Sequence, residues 1–327
     1  VYTLREIIEK FKTNNKFTGT VLENEPVAPR TTFKIGGAAP LLLEPETQDS
    51  LAYALSELHG LQVPVFVLGG GSNIVVSDNG FDGAVVATCR LDSISAETKA
   101  GAPAAVPADL MQGQQVTVTC GAGVTMQQFV YFCIKHGLSG AENFAGLPGS
   151  VGGAAYMNAR CFDTSVSDII GAVTFMHKDG SGCCTKVFAE SDWGYKKSPF
   201  TGTDLVIASV QFNVTACGSG GQQALEEKCA AAVAARGARG HFKYPSAGSV
   251  FKNNHDFGAP TGKIIDDAGL KGFAVGGARI APWHGNIIIN EHNATQADVR
   301  ALTDYVMQKI KEKTGFNLEL EIIFCGK

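Results

Sequence analysis

Gly140-Ala141-Glu142-Asn143-Phe144-Ala145-Gly146-Leu147-Pro148-Gly149-Ser150-Val151-Gly152-Gly153-Ala154 holds five glycines and one proline in fifteen positions. That density is too high for a helix or strand interior, so the segment reads as a path that turns repeatedly and brings bare backbone against something. Without a Cβ in the way, main-chain N–H groups can approach pyrophosphate oxygens, and successive N–H groups form an anion-binding concavity. A second run, Leu68-Gly69-Gly70-Gly71-Ser72-Asn73, follows the strand-like Val63-Pro64-Val65-Phe66-Val67 and invites the same reading. Glycine makes up 39 of 327 residues, so either run alone could equally be a tight connection; the two together favour a large anionic cofactor. Neither run opens a helix in the G-x-G-x-x-G register, which disfavours a standard Rossmann domain.

The chain exceeds the usual size of a single core, so two or three domains are expected. A 45% hydrophobic fraction with 18% charged residues suits a well-packed protein, and a net charge of −4 leaves no basic footprint for nucleic acid. The seven histidines show no metal-ligand spacing, and no metal is expected. Nine cysteines without a CxxC pair read as cytosolic thiols. The start of the sequence has no signal-peptide pattern, and no apolar run reaches the roughly 18 residues of a membrane helix.

Leu4, Ile7, Ile8 and Phe11 recur at helical spacing behind Thr3, a cap. Thr31 to Ile35 reads as a short extended segment. Leu41–Leu43, a helix over 50–59 and a strand over 63–68 make a β-α-β unit ending on the second glycine run. Residues 95–115 read as a surface hairpin or loop. Strand 116–120 leads into an amphipathic helix over 126–136, and strands 172–176 and 205–212 flank Trp193-Gly194-Tyr195-Lys196-Lys197-Ser198. Cys217-Gly218-Ser219-Gly220-Gly221 punctuates the chain. Beyond it come an Ala-rich helix over 223–236, a short strand 249–252, a helix 263–268, a buried strand 287–289, a Thr295-capped helix through Ile310, and a closing strand 318–324.

Thr31-Thr32-Phe33-Lys34-Ile35-Gly36-Gly37, the two glycine runs, Pro245-Ser246-Ala247-Gly248-Ser249-Val250-Phe251-Lys252-Asn253, Ile265-Asp266-Asp267-Ala268-Gly269-Leu270-Lys271-Gly272 and Leu318-Glu319-Leu320-Glu321 occur in that order. The series resembles the UDP-N-acetylenolpyruvoylglucosamine reductase (MurB) family from about Thr31 to the last residues. The resemblance implies an α+β protein: a vanillyl-alcohol-oxidase-type (PCMH-type) FAD-binding fold of two lobes, followed by a C-terminal α+β substrate domain. The boundaries expected are an N-terminal helix and lead-in over 1–27, the FAD-binding domain over 28–214 with lobes at about 28–89 and 90–214, and the substrate domain over 215–327. Only Thr215 to Gln222 separates the last flavin-domain strand from the Ala-rich helix, and it lacks the tyrosine-bearing loop that one branch of the family carries.

The implied activity is cytoplasmic, NADPH-dependent reduction of the enolpyruvyl group of a UDP-sugar through non-covalent FAD, yielding UDP-N-acetylmuramate for peptidoglycan. Cofactor contacts carry over to Lys34, Ile35 and Gly36, to Leu68, Gly69, Gly70, Gly71, Ser72 and Asn73, and to Glu142, Asn143, Gly146, Pro148, Gly149, Ser150, Gly152 and Gly153. Hydride adds to the β carbon of the conjugated double bond and leaves an enolate, which the site must stabilise and then protonate. Ser249 matches the family's proton donor and Glu321 the carboxylate that helps polarise the enolate, although the arginine expected two residues on is Ile323 here. The family's Tyr-Arg-x-Ser is Tyr195-Lys196-Lys197-Ser198, so Lys196 keeps the charge but loses the bidentate fork; Arg160 is the rival cation. Tyr195, Arg160, Arg236, Lys252 and Asn253 are expected to bind substrate, with Arg239 a further candidate for the diphosphate. A flavin oxidase of the same fold, or a nucleotide-binding scaffold with a decayed site, stays open at this stage.

Overall fold

The computed structural model describes residues 3–98, 110–218 and 220–326. The chain divides into two compact units, one of Val1–Glu23, Leu41–Gly70 and Gly83–Ala234, the other of Asn24–Pro40, Gly71–Asp82 and Ala235–Lys327.

In the first unit the helix Leu4–Thr13 starts at Thr3, which forms a capping box with Glu6 and turns Ile7, Ile8 and Phe11 into the core. Strand Ala84–Ala87 is buried along its whole length and pairs in parallel with Leu41–Leu43 on one side and Val65–Leu68 on the other. Such burial on both faces is what a continuous apolar run without alternation encodes. Helix Gln48–Gly60 makes the crossover, with Leu51, Leu55 and Leu58 against the core. The same unit holds a mainly antiparallel sheet ordered Cys184–Val187, Ile170–His177, Leu205–Ala216, Gln115–Gly121, Ile94–Thr98. Helix Met126–Lys135 packs on it, with Phe129 stacked 4.3 Å from Phe212. The stretch 95–115 is a hairpin at its two ends, since Ile94–Thr98 pairs antiparallel with Gln115–Gly121; residues 99–109 lie outside those described.

The second unit is built on the antiparallel order Ser246–Ser249, Ile287–Asn290, Ala278–Ile280, Ala274–Val275. Helix Gln296–Thr314 covers its core with Val299, Leu302, Val306 and Ile310. Its N-terminus is closed twice: by the Thr295–Asp298 capping box, and by Asp78, which accepts from the Gln296 N–H (2.7 Å) and the Ala297 N–H (3.2 Å). Strand Ile323–Cys325 pairs in parallel with Ile74–Val76.

Four elements differ from the sequence reading. Thr31 to Ile35 is not extended: it follows a 3₁₀ turn over Ala28–Arg30, bends, and puts Lys34 in the left-handed region at φ 59°. The strand expected at 249–252 ends at Ser249, and that expected over 318–324 narrows to Ile323–Cys325, with a single bridge between Phe251 and Leu320. The long glycine run does contain a helix, Val151–Tyr156, with Ser150 as its N-cap.

That helix survives two glycines because of what Ser150 holds. Its Oγ accepts from the Gly153 N–H (3.3 Å) and, eighty residues away in sequence, from the Gly70 N–H (3.1 Å). A methyl group on Gly70 would stand 2.5 Å from the Gly149 Cα, so only a residue without a Cβ lets the two glycine runs meet. Ser150→Ala removes a cap and leaves the Gly70 N–H unpaired, a loss of about 1–3 kcal/mol. A lowered urea midpoint should report it, with Ser150→Thr close to wild type and Gly70→Ala worse than either. An unchanged midpoint in Ser150→Ala would show that the hydroxyl joins nothing of consequence.

Candidate active site

In the first unit the expected cofactor residues form two facing turns. Leu68 is buried, Gly69 and Gly70 lie against Ser150 and Gly153, and the Gly152 N–H donates to the Ala122 carbonyl (2.9 Å). Gly149, at φ 103°, takes a conformation that disfavours other residues, its carbonyl accepting from the Met126 N–H (3.0 Å), between the exposed Pro148 and the buried Ser150. Glu142 and Asn143 are engaged at the base of the run. The Asn143 amide donates to the Thr164 hydroxyl (2.8 Å), while the Glu142 carboxylate accepts from the Gly140 N–H (2.7 Å) and the Ser139 hydroxyl (3.1 Å), with Lys228 Nζ at 3.6 Å. Burial pushes the Glu142 pKa up, but these donors and Lys228 outweigh it and hold the carboxyl below its ordinary value. The turns therefore suit a phosphate-bearing cofactor: they offer backbone without side chains, and the one carboxylate among them already faces a cation.

Tyr195 and Lys196 occupy the tip of a four-residue turn, closed by Gly194 N–H to Lys197 O (3.0 Å) and Lys197 N–H to Gly194 O (3.1 Å). Tyr195 is exposed, and Lys196 is half-buried in the left-handed region at φ 53°. Arg160 belongs to a separate hairpin, Arg160–Cys161 with Thr164–Ser165, where it donates to the Phe162 carbonyl (3.3 Å) and pairs with Asp163 (3.6 Å).

The second unit carries the other expected residues. Lys34 Nζ donates to the Pro29 carbonyl (2.7 Å), Ile35 is in the core, Gly36 lies over Val76, and the Gly71 carbonyl accepts from the Thr32 N–H (3.0 Å) next to half-buried Ser72. The segments that carry Ser249 and Glu321 are tied by main chain one residue beyond the serine. The Glu321 N–H donates to the carbonyl of Val250 (2.7 Å), the residue after Ser249. Asn73 fixes the same segment: its side chain donates to the Glu321 carbonyl (2.9 Å), and its own carbonyl accepts from the Ile323 N–H (3.0 Å). Glu321 is 9% exposed, not a solvated surface charge.

Asn286, which no local sequence pattern marks, fastens the serine segment. Its Oδ1 accepts from the Phe251 N–H (2.9 Å), its Nδ2 donates to the Phe251 carbonyl (2.7 Å), and its main-chain carbonyl accepts from the Val250 N–H (2.9 Å). Lys252 pairs with Glu319 (3.2 Å), and Asn253 Oδ1 accepts from the Thr261 N–H (2.9 Å).

Arg236 is half-buried in a cationic cluster that the sequence reading saw only through Arg236 and Arg239. His241 and His284 lie 6.1 Å apart, ring to ring. Burial, then Arg236, His284 and Arg239, push the His241 pKa down to about 4; burial is also the chief cause lowering His284. Beside them Trp283 stacks on Tyr244 (6.1 Å) under the Lys243 ammonium (4.7 Å). An anion entering this cluster meets fixed guanidinium charge beside two imidazoles that burial keeps neutral. Among the described residues no group of three or more His, Cys, Asp or Glu side chains is arranged to hold a metal ion.

A family described as an FAD binding domain matches residues 39–183, and the C-terminal domain of UDP-N-acetylenolpyruvoylglucosamine reductase matches residues 240–325. The chain is 41% identical to the UDP-N-acetylenolpyruvoylglucosamine reductase of Treponema denticola, over 94% of both chains. The chain belongs to the UDP-N-acetylenolpyruvoylglucosamine reductase family. It is 37% identical to the Treponema pallidum reductase over 93% of both chains. The solved reductase (MurB) of Thermus caldophilus superposes with a TM-score of 0.71 at 29% identity, covering 94% of this chain and 99% of that one. The α+β FAD-binding class expected from the sequence is thereby established. Both glycine runs fall inside the FAD-binding match, and Ser249 and Glu321 inside the reductase C-terminal match; Lys34 and Lys196 lie outside both.

A pH prediction follows from His241. Its folded pKa, about 4, lies below the ordinary histidine value of 6.5, so the unfolded chain binds more protons between those values. The histidine's contribution is complete above pH 6.5 and is lost as pH falls toward 4. His241→Gln should flatten the acid limb of a plot of stability against pH in that window. An identical acid limb in wild type and variant would contradict the burial of a neutral imidazole.

Proposed function

We propose that this chain is an NADPH-consuming, FAD-dependent reductase that converts the enolpyruvyl ether of UDP-N-acetylglucosamine to UDP-N-acetylmuramate, a step of peptidoglycan synthesis. The observation that supports it most is the 41% identity across nearly the full length of a reductase of that name, with both expected glycine runs inside the FAD-binding match. FAD, when bound, accepts hydride from NADPH and delivers it to the substrate. The division of labour proposed is a cofactor domain over 28–214 and a substrate domain over 215–327. Gly69, Gly70, Gly146, Gly149 and Gly153, with Ser72, would hold the cofactor. Cytoplasmic location is proposed on the same footing; among the described residues no helix is long and apolar enough to cross a membrane.

The chain's own residues then handle charge and a proton. Hydride at the β carbon makes an enolate spread over the α carbon and carboxylate. The Ser249 hydroxyl donates a proton to the α carbon, and the buried Glu321 polarises the developing enolate. Lys196 offsets the added charge on the carboxylate. A cation there helps more in the transition state than in the ground state, which is why it accelerates the reaction. Arg236, with Arg239 near it, meets the diphosphate.

The purified protein should be yellow and release FAD on denaturation, bleach with NADPH, and recover its spectrum on addition of the enolpyruvyl substrate. Protein that stays colourless after incubation with FAD would end this reading. In stopped flow, Ser249→Ala should leave flavin reduction nearly untouched and slow the oxidative half-reaction by about 10²–10⁴-fold, the scale of lost general acid catalysis. Equal slowing of both halves would make the serine structural.

For the cation, Lys196→Ala should slow the oxidative half-reaction about tenfold or more, while Lys196→Arg retains or raises the rate. A silent Lys196→Ala beside a crippled Arg160→Ala would move the role to Arg160.

A further inference from the structure

Lys196 sits at φ 53°, a conformation that costs a non-glycine residue energy and persists only where the surroundings over-determine it. Two anchors hold the turn that carries it. At its start, the Asn158 amide donates to the Gly194 carbonyl (2.8 Å). At its end, the Ser198 hydroxyl donates to the Tyr156 carbonyl (2.7 Å), which also accepts from Thr201 Oγ1 (2.7 Å). Both anchors lie at the C-terminal end of the helix Val151–Tyr156, whose cap, Ser150, holds Gly70. The cofactor turns and the lysine turn are thus tied to the two ends of one six-residue helix.

Asn158 is the specific part of this arrangement. It is 4% exposed and itself left-handed at φ 43°, which asparagine tolerates better than most residues. Both halves of its amide are used, since Oδ1 accepts from the buried Ser167 N–H (3.1 Å) while Nδ2 reaches Gly194. A carboxamide offers its acceptor and its donor on two separate atoms without charge, which a hydroxyl cannot.

We propose that Asn158 is a positioning residue for the reduction step: it sets the orientation of the Gly194–Lys197 turn, and so the place of the Lys196 ammonium, without touching substrate. The proposal rests on Lys196 meeting the substrate carboxylate. It makes Asn158 matter to the half-reaction that uses the enolpyruvyl group and not to flavin binding or flavin reduction. Aspartate at this position keeps shape and backbone preference but sets a carboxylate oxygen against the Gly194 carbonyl, so the turn must move.

The test is a double-mutant cycle in the flavin-loaded enzyme. Asn158→Asp should keep full flavin content and the wild-type rate of flavin reduction by NADPH, yet slow the oxidative half-reaction about 10- to 100-fold, the scale of a displaced catalytic group. In Lys196→Ala, adding Asn158→Asp should cost less than about twofold, because the lysine it positions is gone. Asn158→Gly, which keeps the left-handed backbone and deletes both hydrogen bonds, carries the same cycle where the aspartate variant loses flavin. A wild-type oxidative rate in Asn158→Asp, an undiminished penalty in the Lys196→Ala background, or loss of flavin from both Asn158 variants would each overturn the proposal. A silent Lys196→Ala single variant would instead sink the assignment of the lysine itself.

Discussion

The first unit depends on backbone meeting backbone at Gly70 and Gly149–Ser150, with one hydroxyl between them. A serine oxygen has two lone pairs, and here one meets the helix cap donor and the other the opposing loop. Strand Val65–Leu68 delivers Gly70 to that point, and the helix Val151–Tyr156 starts from it. A six-residue helix with two glycines is far below the length that is stable by propensity alone. It exists because its cap is shared, and because Val151, Ala154 and Ala155 are buried in the sheet-covering core.

The second unit faces a related problem at its terminal segment. Its terminal segment must return to strand Ile74–Val76 in parallel while presenting Glu321 to one side, and regular pairing covers only Ile323–Cys325. The residues just before it are held by Val250 on one flank and by the Asn73 side chain on the other. Glu321 is consequently fixed at its main chain.

Elements with local signals were legible in the sequence. Thr3, Thr125 and Thr295 each begin a capping box and each is followed by apolar residues at helical spacing, so those helices fall where the pattern puts them. Glycine content hid the helix after Ser150, since the contact that stabilises it is eighty residues away and invisible to any window. Lys34 read as part of a short extended segment, because nothing in Thr-Thr-Phe-Lys-Ile signals that the Thr31 hydroxyl accepts from the Lys34 N–H (3.0 Å) and closes a turn there. Ser249 and Glu321 came from ordered resemblance, because a serine beside glycine and a glutamate near a terminus have no chemistry written in their spacing. Asn158 and Asn286 had no signal at all: an asparagine that bridges distant main-chain groups looks, in sequence, like one in any turn.

Those asparagines share a physical logic with Asn290, whose amide donates to the Phe33 carbonyl (3.1 Å) and accepts from the Ala294 N–H (2.8 Å). Each holds irregular backbone near an expected site residue: Asn158 near Lys196, Asn286 beside Ser249, Asn290 beside Lys34. Irregular segments leave main-chain donors and acceptors without strand neighbours, and burying them unmet is costly. A carboxylate could supply only acceptors and an ammonium only donors, and either would add a buried charge that needs its own compensation. The carboxamide provides one of each and stays neutral. Positioning by a carboxamide is thus kept apart from electrostatics, because the group that fixes the backbone brings no charge of its own.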